Sequence, residues 1–372
     1  MFIWLLLFLA LALAWLGLLT TLRSPDWNEW RLAVCAGEFG HWLALAALAV
    51  AVAAGSVGRN PVGWIAACLA VVAAGLLLKP ALQAGRVART LESQCDRFGA
   101  PAVPRRAFSW RGLLGRAPLP VEAETFAFAG ALEMDVYRLP SATSRPGVLV
   151  IHGGGWDGGD RGQMRHFNHW LARRGYVVAA ISYRLAPVSK WPAQREDVRA
   201  ALAFLQERAP ALGLDASRLV LLGRSAGGQI AQTAAYTLGE PGIRGVVGLY
   251  APADLLLGYR SGREDDVLQS RRLLRQYLGG SPDEVRGNYA DASATSHVRP
   301  ESPPTLLLHG RLDPLVWHRH SERLAARLSA AGVPHVAIQL PWATHAFEFN
   351  LCGPGGQLTT YALERFLARV TR

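Results

Sequence analysis

The sequence predicts an α/β fold, in which helices flank a mostly parallel sheet. From about residue 146 onward, short apolar runs of strand length alternate with segments of helix length. Loops that carry glycine or reactive residue types directly follow several of these runs. In open α/β sheets such loops meet at the carboxyl ends of the strands, where ligands bind. The first 80 residues follow another pattern, because long apolar segments dominate there.

Three charge-free apolar segments, residues 2–22, 39–58 and 60–78, predict three transmembrane helices, because each has about the 20 residues that span a bilayer. A cleaved secretory signal is an alternative for the first segment. Such a signal has a basic start and a shorter apolar core, and this chain has neither. Buried core helices are an alternative for the other two. Trp27, Trp30 and Trp42 lie near the ends of the segments, where an interfacial aromatic belt is expected.

Basic residues beside these segments predict the orientation in the membrane. The side holding the first connection and the C-terminal part carries Arg23, Arg31, Lys79, Arg86 and Arg89, and the opposite side carries only Arg59. The positive-inside rule therefore puts the C-terminal part in the cytoplasm and the N-terminus outside. The large excess of Arg over Lys is typical of GC-rich bacterial coding, so we expect a multi-pass protein of a bacterial inner membrane.

Residues 81–119 form a basic connector in this prediction. Residues 105–116 interleave cations with large apolar side chains, which suits either an anionic membrane surface or a solvated linker. The net charge of +11 does not predict a nucleic-acid partner, because no zinc-finger or RNA-binding signature accompanies it. The four cysteines show no paired metal or redox spacing, although a disulfide between Cys35 and Cys95 is conceivable in an oxidising compartment.

A glycine-flanked serine follows one of the apolar runs. Residues 223–228 read G-R-S-A-G-G after the run 218–222, which predicts a strand, a sharp turn at Ser225 and then a helix. Glycines are needed on both sides because the turn brings backbone segments too close for a Cβ atom. The amino end of the following helix favours negative charge nearby.

A second glycine motif lies about 70 residues upstream, where the strand at 146–151 ends in H-G-G-G-W at 152–156. Consecutive glycines can present bare backbone N–H groups to an oxyanion. A flexible loop or a phosphate cradle are the alternatives, but the Gly-Lys-Ser/Thr of a phosphate loop does not follow.

An acid and a base follow Ser225 in the order that a strand-turn-helix serine nucleophile requires. Asp313 lies just after the strand that ends at about His309, and His345 lies just after the strand at 336–340. Both therefore fall on the same sheet edge as Ser225. Asp254 also follows a strand and is a weaker candidate for the acid.

These motifs resemble those of the α/β-hydrolases of the hormone-sensitive-lipase and acetyl-esterase type, over the region from about residue 120 to the C-terminus. The resemblance implies that Ser225 is the nucleophile, His345 the general base and acid, and Asp313 the residue that orients His345. Residues 183–187, Y-R-L-A-P, also match a loop common in these esterases. The excursion at 253–303 is then expected to be a cap over the active site of a catalytic domain at 120–372.

The resemblance also implies an oxyanion hole formed by the backbone N–H groups of Gly154, Gly155 and Ala226, in which Gly153 could replace one donor. Arg224 departs from the pattern, because many relatives carry Asp or Glu before the serine. Its side chain either makes a structural salt bridge or biases the pocket toward acidic substrates.

The remaining histidines are expected outside the proton-transfer site. His309 is predicted to be packed and hydrogen-bonded, His318 and His320 to be surface residues, and His152 to brace the glycine loop. His166 and His169 have a spacing that could suit a metal, but no ligand lies near them in sequence, so no metal site is predicted.

Together these features predict a membrane-anchored serine hydrolase that cleaves small-molecule or lipid esters without a metal or organic cofactor. An amidase or peptidase using the same three residues is one alternative. A catalytically silent membrane scaffold or lipid-binding protein is the other.

Overall fold

The computed structural model describes residues 1–57 and 60–372. These residues form eleven α-helices, eight strands and two short 3₁₀ turns. The helices are α1 Phe2–Leu18, α2 Trp27–Ser56, α3 Pro61–Arg97, α4 Arg165–Ala172, α5 Ala193–Leu212, α6 Ala226–Thr237, α7 Leu255–Ser261, α8 Ser270–Leu278, α9 Arg286–Asp291, α10 Arg319–Ala330 and α11 Pro354–Val370. The strands are β1 Ala123–Ala129, β2 Leu132–Tyr137, β3 Arg145–Ile151, β4 Val177–Ile181, β5 Leu214–Arg224, β6 Ile243–Leu249, β7 Thr305–Gly310 and β8 His335–Leu340.

All eight strands belong to one sheet, in the order β1-β2-β4-β3-β5-β6-β7-β8. The pairs β1–β2 and β2–β4 are antiparallel, and the other five pairs are parallel. The sequence therefore predicted the mostly parallel α/β sheet correctly. Because β3, β5, β7 and β8 run in the same direction, the loops that follow them meet at one edge of the sheet.

The sheet is buried on both faces, as parallel sheets are. Successive residues of β3 point to opposite sides, so Val148 and Val150 join one apolar cluster while Leu149 and Ile151 join the other. The first cluster includes α4, α11 and the second half of α3, and the second includes α5, α6 and α10. The α3 helix therefore packs against the sheet as well as forming part of the apolar N-terminal region.

The three apolar segments of the N-terminus form helices with bounds different from those predicted. Among the helices in the part of the chain that the structure describes, only α2 and α3 are long and apolar enough to cross a membrane, by length and composition alone. The prediction of a spanning helix over residues 2–22 is wrong in extent, since α1 ends at Leu18. Its 17 residues have a length of about 26 Å at a rise of ~1.5 Å per residue, which is less than the roughly 30 Å hydrocarbon core. The Thr20 hydroxyl donates to the carbonyls of Gly17 and Leu76, which stops α1 and ties its end to α3.

The second helix begins twelve residues earlier than predicted, at Trp27 instead of residue 39, because Asp26 caps it. The Asp26 carboxylate accepts from the N–H groups of Asn28 and Glu29 at 2.8 and 2.9 Å. Arg31, which was counted in a loop, therefore lies within α2. Arg59, counted on the opposite side, lies outside the described residues, as does Gly58 at the end of the second predicted span.

The region predicted as a connector contacts the core of the sheet domain. Residues 81–97 continue α3, and Ala84, Leu91 and Cys95 are buried in the core cluster. Arg105 forms an ion pair with Glu364 of α11 at 2.9 Å. The predicted division of the chain at residues 80 and 119 remains a prediction, but the structure shows a continuous helix across the first of these boundaries. All four cysteines, including Cys35 and Cys95, are free thiols.

Candidate active site

Ser225 lies at a strained turn between β5 and α6. Its backbone has φ 51° and ψ −122°, a conformation that non-glycine residues rarely adopt. A Cβ atom at Gly223 would overlap the backbone of Gly227, and one at Gly227 would overlap the carbonyl groups of Ile151 and His152. Glycine is therefore required on both sides. The strain holds the half-buried Ser225 at the carboxyl edge of the sheet, at the amino end of α6.

Asp313 and His345 contact each other although 32 residues separate them. His345 Nδ1 lies 2.7 Å from Asp313 Oδ2. The second oxygen, Oδ1, accepts from the N–H groups of Leu315 and Val316 at 2.8 and 2.9 Å. These bonds fix the carboxylate so that it points at the imidazole, which leaves Nε2 of His345 for a reacting group.

The carboxyl of Asp313 is completely buried, and burial by itself raises its pKa. The charge of His345 and hydrogen bonds from His309 and His345 outweigh burial, so the pKa of Asp313 is lowered overall. His309, expected to be packed and hydrogen-bonded, is buried and places Nε2 3.3 Å from Asp313 Oδ2. Its other nitrogen, Nδ1, lies 2.7 Å from the hydroxyl of Ser321.

The glycine loop after β3 lies beside the serine turn. Gly154 and Gly155 have φ values of 131° and 62°, and both line a cavity together with Ser225. Among the residues the structure describes, no protein acceptor takes the backbone N–H of Gly154, Gly155 or Ala226. The N–H of Gly153 donates to Gln163 Oε1 at 2.8 Å, so Gly153 is a poor substitute for these donors. Three N–H groups thus remain for an oxyanion beside Ser225.

His152 braces this loop, as expected. Its Nδ1 lies 2.8 Å from the carbonyl oxygen of Gly153, and its ring stacks on Tyr183 at 4.2 Å. Tyr183 belongs to the Y-R-L-A-P segment, and its hydroxyl donates to the His152 carbonyl at 3.2 Å. The two sequence motifs therefore support each other through one stacked pair.

Arg224 makes a structural salt bridge, the first of the two alternatives for this residue. Its Nε donates to Glu348 Oε1 at 2.8 Å, and its guanidinium lies 4.5 Å from the ring centre of Phe167. The same Glu348 oxygen accepts from the Tyr250 hydroxyl at 2.6 Å. Tyr250 in turn packs against the His345 ring at 4.2 Å between centroids. The sequence did not indicate Tyr250 or Glu348, because no motif marks a residue that packs on the ring of a distant histidine or one that hydrogen-bonds to such a residue.

Two cavities flank Ser225. One of about 540 Å³ is lined mainly by apolar side chains of the 253–303 excursion and of the loop after Asp313, including Leu255, Leu273 and Val316. The other, of about 440 Å³, includes the glycine loop and His345. The excursion therefore covers the site, although its function as a cap remains a prediction. A larger groove of about 1290 Å³ around Arg97 and Arg244 does not include Ser225.

The loop between α1 and α2 and the first turn of α2 also reach the site. Arg23 lines the larger of the two cavities, while Trp27 and Trp30 line the smaller one. Sequence reasoning assigned these residues to a membrane-flanking loop and an aromatic belt. Nothing local in the sequence indicates that they contact a site about 300 positions away.

Asp254 and His320 form no hydrogen bond with Asp313 or His345, although His320 lines the cavity of about 540 Å³ beside Ser225. Asp254 caps α7 by accepting from Leu257 N at 2.8 Å, and it does not contact His345. The expectation that His320 is a surface residue is wrong: it is 3% exposed, and burial lowers its pKa to about 3. It lies buried because its Nδ1 accepts from the backbone N–H of Asp254 at 3.3 Å.

His166 and His169 lie on α4 without a shared partner. His169 Nδ1 accepts from Val121 N at 3.2 Å, and His166 packs edge-on against Phe349. Across residues 1–57 and 60–372, no group of three or more His, Cys, Asp or Glu side chains is arranged to hold a metal ion.

Comparisons with known sequences identify a family and several relatives. The BD-FAE family model matches residues 134–328, just over half of the 372-residue chain. The probable carboxylic ester hydrolase LipM of Mycobacterium tuberculosis is 29% identical over 262 residues, 65% of this chain and 59% of that protein. Ethyl acetate hydrolase of Pseudomonas putida is 31% identical over 232 residues, 58% of this chain and 71% of that protein. The chain spans between 54% and 62% of the length of the three mycobacterial esterase relatives LipM, LipC and LipQ.

Solved structures share the fold. A bacterial heroin esterase superposes with a TM-score of 0.59 at 26% identity, covering 68% of this chain and 85% of that chain. An esterase of Pyrobaculum calidifontis superposes with a TM-score of 0.56 at 23% identity, covering 77% and 93%. On the family match and the fold together, this chain belongs to the BD-FAE family and has an α/β-hydrolase fold.

Proposed function

We propose that this protein is a membrane-anchored serine hydrolase that cleaves carboxylic esters. The observation that carries the proposal is the 2.7 Å contact between Asp313 and His345 at the sheet edge where the strained turn holds Ser225. The carboxylic ester hydrolase and esterase names of the relatives support ester bonds as the class of substrate.

In this mechanism the Ser225 hydroxyl attacks the ester carbonyl while Nε2 of His345 accepts its proton. Asp313 holds Nδ1 and stabilises the imidazolium that forms. The N–H groups of Gly154, Gly155 and Ala226 stabilise the oxyanion of the tetrahedral intermediate.

Collapse of this intermediate releases the alcohol, which takes the proton from His345. A water molecule then attacks the acyl-enzyme, with His345 again acting as the base. The acid is released and Ser225 regains its proton. No step requires a metal or an organic cofactor.

The membrane part of the proposal rests on the apolar surface of the N-terminal helices. Large side chains such as Phe8 of α1, Leu45 and Val52 of α2, and Ile65 and Val71 of α3 are all more than half exposed. Contiguous exposed apolar surface of this kind is typical of membrane or protein contacts. We propose that α2 and α3 cross a bacterial inner membrane beside α1, with the catalytic domain in the cytoplasm.

Fluorophosphonate labelling tests the hydrolase directly. The full-length protein in detergent should label and should hydrolyse p-nitrophenyl esters, and Ser225→Ala should lose both. Ser329→Ala on the exposed face of α10 is a matched control that should retain both. Failure of the wild type to label, beside a related esterase that does, would contradict the proposal.

A substrate panel separates the bond types. Esters of increasing acyl length, phospholipids and amides of the same acyl groups would be compared by kcat/KM. We expect esters to be preferred, and a preference for amides would favour a peptidase or amidase.

Protease digestion of the catalytic domain from outside intact cells would contradict the cytoplasmic orientation.

A further inference from the structure

The N-terminal region hydrogen-bonds to the backbone of His345, the proposed base, and of Asp313, the residue that orients it. Arg23, in the loop after α1, donates from Nε and Nη2 to the carbonyl oxygen of Asp313 at 3.1 and 2.5 Å. Trp30, in the first turn of α2, donates from Nε1 to the carbonyl oxygen of His345 at 3.2 Å. Two side chains seven positions apart therefore hold two carbonyls that lie 32 positions apart, on neighbouring loops of the site.

Each contact acts on the side of the residue opposite its reacting group. The Asp313 carboxylate faces His345 and the N–H groups of its own loop, while its carbonyl faces Arg23. Arg23 thus restrains the peptide on which the carboxylate is placed. A cationic donor to a carbonyl is stronger than a neutral one, although the exposure of Arg23 weakens it.

The His345 ring lies between two aromatic side chains from different parts of the chain. Tyr250 packs on it at 4.2 Å, and Trp30 meets it edge-on at 6.4 Å between centroids. The next residue, Ala346, has φ 63°, so the loop that carries His345 has strained backbone and needs external support. Trp30 supplies both a hydrogen bond and an aromatic contact.

The segment from Arg23 to Trp30 also lines the two cavities beside Ser225. Arg23, Ser24 and Pro25 line the cavity of about 540 Å³, and Trp27 and Trp30 line that of about 440 Å³. Its own position is fixed by the Thr20 bonds to Gly17 and Leu76 and by the Asp26 cap of α2. These hydrogen bonds make the segment a structured part of the site.

We infer that Arg23 and Trp30 are positioning residues for the Asp313–His345 pair, so that the apolar N-terminal region completes the active site as well as anchoring the protein. The inference rests on the proposed hydrolase function. It predicts that catalysis per active site depends on residues that the family match at 134–328 does not include.

Kinetics of the full-length protein in detergent test this inference, with the concentration of active sites titrated by a fluorophosphonate. Arg23→Ala and Trp30→Phe should each lower kcat per titrated site by about 10- to 100-fold, because small displacements of catalytic groups have effects of this size. KM for p-nitrophenyl butyrate should change less than threefold. Arg23→Lys, which keeps a cationic donor, should recover most of the lost kcat.

Two control variants match these changes. Arg31→Ala removes an exposed arginine of α2, and Trp64→Phe replaces an exposed indole of α3; neither should alter kcat. Trp30→Phe keeps an aromatic ring but removes the N–H donor together with the pyrrole half of the indole, and Trp64→Phe controls for that smaller size. Trp30→Phe therefore decides the question if Arg23→Ala fails to fold. Thermal unfolding of every variant shows whether a lower kcat comes from displaced side chains at the site or from loss of folded protein.

The outcomes distinguish the two proposals. If the wild type neither labels nor turns over esters, the hydrolase function fails. If the wild type is active and both variants keep kcat per titrated site within twofold, the positioning role is wrong while the hydrolase function stands. A rise in KM with unchanged kcat would also overturn the positioning role, since Arg23 and Trp30 would then act on substrate binding.

Discussion

Arg224 and Glu348 form an ion pair at 2.8 Å in which the two side chains are only 1% and 0% exposed. The pair lies close to His345, the proposed base, because Glu348 also accepts from Tyr250, whose ring packs on His345. A buried pair adds little net stability relative to apolar residues, but the loss of one partner leaves an uncompensated charge. Its position links the strand before Ser225 to the loop after His345.

Arg224→Met should therefore destabilise the protein strongly. We expect a loss of about 3–5 kcal/mol in the free energy of unfolding, because Glu348 would be left buried without its partner. Chemical denaturation in detergent measures this loss, and Arg224→Met with Glu348→Gln should recover part of it. Arg263→Ala, which breaks the exposed pair with Asp265, is the control and should change nothing measurable. A stable Arg224→Met would contradict this role of the ion pair.

Asp313→Asn should abolish most of the activity while keeping the fold. The neutral amide cannot stabilise the imidazolium charge as the carboxylate does, and its NH₂ group can donate to His345 Nδ1 and hold the wrong tautomer. We therefore expect kcat to fall by about 10⁴-fold, the magnitude seen for such a change in a serine protease. Steady-state ester hydrolysis measures this change. Asp254→Asn is the comparison, because Asp254 caps α7 away from His345. If Asp254→Asn caused the larger loss of kcat, Asp254 would be the acid.

The lowered pKa of Asp313 predicts a pH dependence of stability. Since the folded-state pKa lies below the unfolded value of about 3.9, the contribution of the carboxylate is complete above that value. It is lost as the pH falls through the folded-state pKa. The difference in unfolding free energy between wild type and Asp313→Asn should therefore shrink below about pH 4. A difference that stays constant from pH 7 down to that range and below would show that the carboxylate is not linked in this way.

Gly154→Ala should impair the oxyanion hole. Gly154 has φ 131°, and a Cβ atom there would overlap the backbone of Gly158, so the loop must shift. We expect kcat to fall by about 10²–10³-fold, the usual effect of losing one oxyanion donor. Gly287→Ala is the matched control, because nothing lies within 4 Å of its added Cβ. Retention of wild-type kcat by Gly154→Ala would exclude Gly154 from the oxyanion hole.

Glu38→Ala should loosen the attachment of α2 to the catalytic domain. The buried Glu38 carboxyl group accepts from Gly355 N at 3.0 and 3.1 Å and from Gly356 N at 3.3 Å, at the amino end of α11. Leaving a buried donor without its acceptor costs about 1–3 kcal/mol, and we expect a loss of this size in the free energy of unfolding. Glu29→Ala on the same helix should have a smaller effect. Equal effects of the two variants would contradict the prediction.

Local patterns determined much of the site. The glycines at 223 and 227 are required by close backbone contacts around Ser225. The turn could therefore be predicted from the six residues 223–228 alone. The Asp313–His345 contact followed from the order of residues after successive parallel strands, because parallel strands place their following loops at one edge. The catalytic roles of the two residues remain predictions.

Helix bounds and partners were decided by tertiary contacts. Hydropathy alone could not show that α2 begins at Trp27, because this start depends on the Asp26 cap and the packing of α2 on the catalytic domain. Likewise, the 290 positions between Arg23 and Asp313 leave no periodic or local pattern that predicts their hydrogen bond.

The sequence by itself determined the mostly parallel sheet, the strained turn at Ser225 and the edge at which Asp313 and His345 lie. The physical reason is that strand alternation and glycine requirements are local properties of the chain. Only the tertiary structure decided that Arg224 pairs with Glu348 and that Arg23 and Trp30 reach the site. These contacts join distant segments, and their partners depend on how the N-terminal helices and the sheet pack in three dimensions.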